Sequence, residues 1–127
     1  MEYACKIWDP HTVKDVLKLE KVQRLALRFI FSKYRRLDSP TALYSKANIP
    51  LLKLRRKEKR LKCSCMIING LWQIDKTAYL FPDESRITRK KHSRALHQPR
   101  FFKDCFRYSF FPQTISDWNL LSEQAGV

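Results

Sequence analysis

Glycine is almost missing from this chain, with two in 127 residues, Gly70 and Gly126. Sandwiches and barrels turn tightly many times and draw on glycine for positive φ, so the scarcity argues for helices. No apolar run approaches the ~18 residues that a bilayer-spanning helix needs, so no segment is expected to cross a membrane. The opening MEYACKIWDP has neither the basic flank nor the apolar stretch of a secretory signal, which points to an intracellular chain, nucleus or cytoplasm left open. Acidic residues are scarce too, 12 against 26 Lys and Arg, for a formal net charge of +14 and a pI near 10.0. That imbalance concerns partners more than fold: a phosphate polymer first, an anionic membrane surface second.

Catalytic groups are equally thin. No acidic pair sits on a strand-like run as two-metal chemistry requires, and Asp83-Glu84 beside Pro82 read as surface acids. There is no glycine loop to cradle a phosphate, and His11, His92 and His97 have no nucleophile partner in sequence. Cys5, Cys63, Cys65 and Cys105 default to buried thiols. A zinc set from Cys63, Cys65, His92 and His97 fails on spacing, because helical residues two apart point roughly 200° from one another. No metal or cofactor is expected, and the chain by itself is not expected to be an enzyme.

What is present is material for one domain: 44% hydrophobic and 13% aromatic residues, enough for a core at this length. The expected fold is mainly α, a small bundle of two long basic amphipathic helices plus short ones, with an irregular aromatic C-terminal arm. The bundle spans 1–74, a basic loop 75–100, and the arm with its short helix 101–121.

Thr12 followed by Asp15 marks a helix start, the hydroxyl capping free amides and the acid meeting the positive end of the dipole. From there to about Lys33, Val16, Leu19, Val22, Leu25, Ala26, Phe29 and Ile30 recur at helical steps as an apolar back, widened by Leu17, Leu27 and Phe31. Lys14, Lys18, Lys21, Arg24 and Arg28 form a basic front. Ser39 or Asp38 caps a short helix over Pro40–Lys46, with proline near its first turn. Pro50 opens a third helix whose stripe is Leu51, Leu54, Leu61, Cys65, Ile68 and Trp72, ending at Asn69-Gly70.

That helix carries KLRRKEKRLK, seven basic residues and one acid between Lys53 and Lys62. Lys53, Arg56, Lys57, Lys59 and Arg60 are its candidate phosphate contacts, a second basic face beside the first. The run also fits the composition of a nuclear signal. Two such faces can flank a duplex or strand and hold its phosphates without reading bases. Six neutralised phosphates would give a log–log salt slope of roughly −5.

Beyond Asp75 the order weakens. Asp83 to Pro99, with Arg86, Arg89, Lys90, Lys91 and Arg94, reads as an exposed loop. Phe106, Tyr108 and Phe110 alternate as in a short extended segment. Pro112 then opens a brief helix on which Phe111, Ile115, Trp118 and Leu121 share a face. SFFPQTISDWNLL contains no Lys or Arg, so its aromatics read as core and not as a platform for stacked bases.

Four stretches occur in one order: MEYACKIWDPHT, LEKVQRLALRFI leading into YRR, ANIPLLKLRRKEKRLKCSCMIINGL, and SFFPQTISDWNLL. Together, from about Glu2 to Leu121, they resemble the C-terminal region of non-LTR, jockey-like retrotransposon reverse transcriptases. The resemblance implies a helical thumb and the segment after it, following a polymerase palm in a larger polyprotein. It implies an RNA template or RNA–DNA hybrid as partner, and no membrane. The polymerase aspartates of such enzymes belong to a Tyr/Phe-x-Asp-Asp motif upstream, and no Asp-Asp pair occurs here. Gln113 stands where the family often has arginine. The expected function is therefore non-catalytic backbone binding by a fragment. The alternatives are a stand-alone basic nucleic-acid-binding or interaction protein, and a translated relic without function.

Overall fold

The structure, a computed structural model, describes residues 4–85 and 91–121. Arg86, Arg89 and Lys90 of the expected basic loop, and Gly126, lie outside the described residues. The chain is mainly α: α1 (Val13–Ile30), α2 (Pro40–Ala47), α3 (Leu52–Ile68), a short 3-10 turn at Lys76–Ala78, α4 (Asp104–Arg107) and α5 (Phe110–Asn119). Among the described residues the β content is one isolated antiparallel bridge between Pro82 and Leu96. The chain divides into two compact units. Among the described residues, one holds Ala4 and Cys5 together with Pro10–Glu58; the other holds Lys6–Asp9 and those from Lys59 onward. The division falls inside α3 and not near residue 74.

In the first unit, α1 packs on α2. Thr12 caps α1 as its residue type predicts, accepting from the Asp15 amide at 3.3 Å and donating to Asp15 Oδ2 at 2.7 Å. Ser39 takes the N-cap position of α2, but its hydroxyl makes no capping bond. Three helices end alike. Ser32, Asn48 and Gly70 adopt left-handed φ of 51°, 50° and 70°. Behind them Lys33, Ile49 and Leu71 donate amides back to the carbonyls of Arg28, Tyr44 and Met66. These closures satisfy carbonyls that a helix end otherwise leaves open, and glycine is the residue that meets the geometry without a Cβ penalty.

The buried face of α1 differs from the hydrophobic pattern. Glu20, Gln23 and Leu27 are its buried residues, whereas Val22, Leu25, Phe29 and Ile30 are 51%, 54%, 74% and 68% exposed. The cause is the start of α3, which follows Pro50 and Leu51 and brings no capping side chain of its own. Glu20 supplies one from α1: Oε1 accepts from the Lys53 amide at 3.0 Å, and Oε2 accepts from the Tyr44 hydroxyl at 3.0 Å. One carboxylate thus ties α1 to both α2 and the positive end of α3. Burial first, then the Glu20 hydrogen bond, raises the Tyr44 phenol above its ordinary value. Gln23 accepts from the Arg55 guanidinium, and Leu27, Leu43 and Leu52, with Cys5, supply the buried apolar side chains of this unit.

The stripe of α3 needs the same correction. Its buried residues are Leu52, Arg56, Arg60, Cys63 and Ile67, a series of three- and four-residue steps that includes two arginines, with Ser64 beside it. Leu51 and Leu54, assigned to that stripe by hydrophobicity, are each 50% exposed.

The second unit is built on Cys63, Ile67, Leu80 and Ile115, with Ile68, Trp72, Leu96, Phe110 and Phe111 packed around them. Tyr79 stacks on Phe111 with ring centroids 4.6 Å apart and planes within 1°. α5 begins after Ser109, so Pro112 lies inside its first turn and does not open it. Trp118 is buried; its indole donates to the Arg94 carbonyl at 3.0 Å, and its own carbonyl meets His92 Nε2 at 3.1 Å. Asn119 pairs its amide with the backbone of Leu96 in both directions, at 2.9 and 2.7 Å. The aromatic signature is core, as its lack of interleaved charge implied.

These ties overturn the reading of 83–99 as a fully exposed loop, since His92 and Ala95 are buried. Lys91, assigned to that exposed surface, is half-buried and anchored on the Asp83 carbonyl and carboxylate and on Ser85. Nor is 106–110 extended: Phe106 lies in α4, and α5 starts at Phe110. Cys105 is exposed and Cys65 half-exposed, so only Cys5 and Cys63 are buried thiols.

Candidate nucleic-acid interface

Two basic surfaces were expected, and the structure treats them differently. On α1, Lys14, Lys18, Lys21, Arg24 and Arg28 converge with Leu17, Leu25 and Pro40 on one open groove of about 650 Å³. The spacing of three and four residues sets the cations along one side of the helix. Leu17 and Leu25, about half-exposed, give the groove an aliphatic floor, and Pro40 of α2 closes one wall. Neither the leucines nor the proline stands out in sequence as part of a site; only the packing of α2 on α1 recruits Pro40.

Lys14, Lys18 and Lys21 are exposed, Arg24 and Arg28 half-buried. Arg24 Nε donates to the Glu20 carbonyl at 3.4 Å. Arg28 Nε is buried with no hydrogen-bond partner among the described residues, an orphaned donor beside the groove. One acid answers this charge: Asp15, whose Oδ1 accepts from Lys18 at 2.9 Å. The Thr12 hydroxyl, then the Lys18 ammonium, hold its carboxyl below the ordinary value. From Lys14 to Arg28 the helix rises about 21 Å, and one duplex strand presents about six phosphates over that length. Five cations in that span stand about 5 Å apart along the helix axis, a line of like charge on one side of α1.

On α3 the expected basic face does not form as such. Arg56 and Arg60 are 1% and 4% exposed and are not available to a phosphate. Arg60 is committed elsewhere in its unit: its guanidinium bridges the carboxylates of Asp9 and Asp117, the latter at 2.9 Å. Lys53 and Lys59 are exposed and Lys57 is half-buried; none of the three lines the α1 groove. Among the described residues no cluster of three or more His, Cys, Asp or Glu side chains has the arrangement of a metal site. No helix among the described residues is long and apolar enough to cross a membrane. No family model, curated protein or solved structure matches the chain.

Proposed function

We propose that this chain is a non-catalytic, thumb-like piece of a non-LTR retrotransposon reverse transcriptase, and that it holds the phosphate backbone of an RNA template or RNA–DNA hybrid. The convergence of Lys14, Lys18, Lys21, Arg24 and Arg28 on one groove carries the binding reading. Kinship is supported by the four stretches quoted above. Asp9 of the first and Asp117 of the last bind the same Arg60 guanidinium, which gives their pairing a physical reason.

The test is fluorescence anisotropy of a labelled RNA–DNA hybrid across a salt series. Five groove cations predict a log–log slope of about −4 to −5, falling to about −2 when Lys14, Lys18 and Lys21 are replaced by alanine. All three side chains are exposed, so the variant keeps its fold. An unchanged slope removes α1 from the site, and nucleotide incorporation by the purified chain overturns the non-catalytic part.

One observation favours a second reading. The exposed Val22, Phe29 and Ile30 give α1 an apolar strip beside its basic one, the form of a helix lying on an anionic bilayer. Co-flotation with phosphatidylserine vesicles, lost in a Phe29→Ala variant, would replace the nucleic-acid reading with this one.

A further inference from the structure

Residues 100–108 of the second unit, RFFKDCFRY, combine exposed rings with exposed cations in a way the core does not explain. Phe102 is 99% exposed and Phe106 47%, so folding gains little from either. Arg100, Lys103 and Arg107 are exposed between and beside them. Arg107 is also positioned: its guanidinium carbon lies 5.2 Å from the Phe101 ring centroid and 5.4 Å from that of Tyr108. Two half-buried rings therefore hold one exposed cation in place.

We infer that this segment is a base-stacking site for single-stranded nucleic acid, distinct from the α1 groove in residues and in chemistry. Stacking platforms pair flat apolar faces, which take any base, with cations that follow the backbone. Phe102 and Phe106 supply the faces, and Arg100, Lys103 and Arg107 supply the cations against a single acid, Asp104. The two rings are four positions apart, so their backbones lie at most ~14 Å apart, within reach of one short strand. The charge argues for this occupant over an apolar protein surface. A greasy partner would gain nothing from three cations around two rings, whereas a strand uses both.

The experiment compares two labelled 20-nucleotide strands, oligo-dT and an abasic strand of equal length, on the full chain by anisotropy. Oligo-dT should bind about five-fold tighter or more, and Phe102→Ala and Phe106→Ala should each remove about that factor without changing the salt slope. Cys105, the exposed thiol beside Phe106, should react more slowly with a maleimide when oligo-dT is bound. Equal affinity for the two strands, or no loss in either variant, overturns the site even if the hybrid still binds through α1. Loss of the salt slope in the α1 triple variant with base preference retained overturns nothing here and supports two separate sites. Vesicle co-flotation abolished by Phe102→Ala would make the rings a membrane contact and overturn the proposal.

Discussion

Replacing Arg60 with alanine distinguishes a clasp from a ligand. Its side chain is 5% exposed, and those of Asp9 and Asp117 are 13% and 19% exposed. Removing the guanidinium takes away the counter-charge that the two carboxylates share. Breaking a buried pair by deleting one partner costs about 3–5 kcal/mol. A unit of this size holds about that much stability in total, so Arg60→Ala should leave it largely unfolded at 25 °C. Arg60→Lys keeps the charge but not the planar fork that spans two acids, and should fall between. The assay is intrinsic fluorescence, because all three tryptophans, Trp8, Trp72 and Trp118, belong to the second unit. Emission should shift to the red as Trp118, 4% exposed, meets water. Unchanged emission and midpoint in Arg60→Ala, together with weaker nucleic-acid binding, would refute the clasp and return Arg60 to the basic face.

Glu20→Ala removes two hydrogen bonds to a buried carboxylate and should cost the first unit about 3 kcal/mol, read as lost helical ellipticity in a thermal melt. Glu20→Gln should lose less, since an amide oxygen still accepts from Lys53. In acid, Asp83 matters: Lys91, then Ser85, hold its carboxyl at about 2 against an ordinary 3.8. A depressed pKa contributes stability above 3.8 that drains away as pH falls through about 2, so Asp83→Asn should flatten the acid limb of a pH–stability curve over that window. Ser32→Gly should raise the melting point by relieving a left-handed serine, worth about 0.5–1 kcal/mol; no gain would mean the Ser32 side chain contributes to that turn.

The positions of α1, α2 and α3 were legible in the sequence because their signals are local, whereas the alternating rings of 106–110 hid α4. Thr12, Pro40 and Gly70 stand where capping chemistry predicts, and five basic residues at helical spacing marked a basic side of α1. Burial was not legible, because its determinants lie far apart in the chain. Glu20 is buried for an amide 33 residues on, and Arg60 for acids 51 and 57 residues away. A count of hydrophobic steps assigns such residues to water and their apolar neighbours to the core, and that is how both long helices were misread. The same reasoning applied to SFFPQTISDWNLL succeeded because, Thr114 apart, its buried residues are apolar or aromatic.

The Arg60 clasp also sets an order of events during synthesis. Residues 6–9 are made before the rest of the second unit, yet their place in it depends on Arg60, 51 residues after Asp9, and on Asp117. At usual elongation rates residues 6–9 wait about 5–20 s for their final partner. Over that interval the segment between them, Pro10–Glu58, emerges complete and can form its own unit. A chain that stalls before Asp117 would therefore carry a formed first unit while the Arg60 clasp stays open on its Asp117 side, a species that chaperones and proteases would meet first.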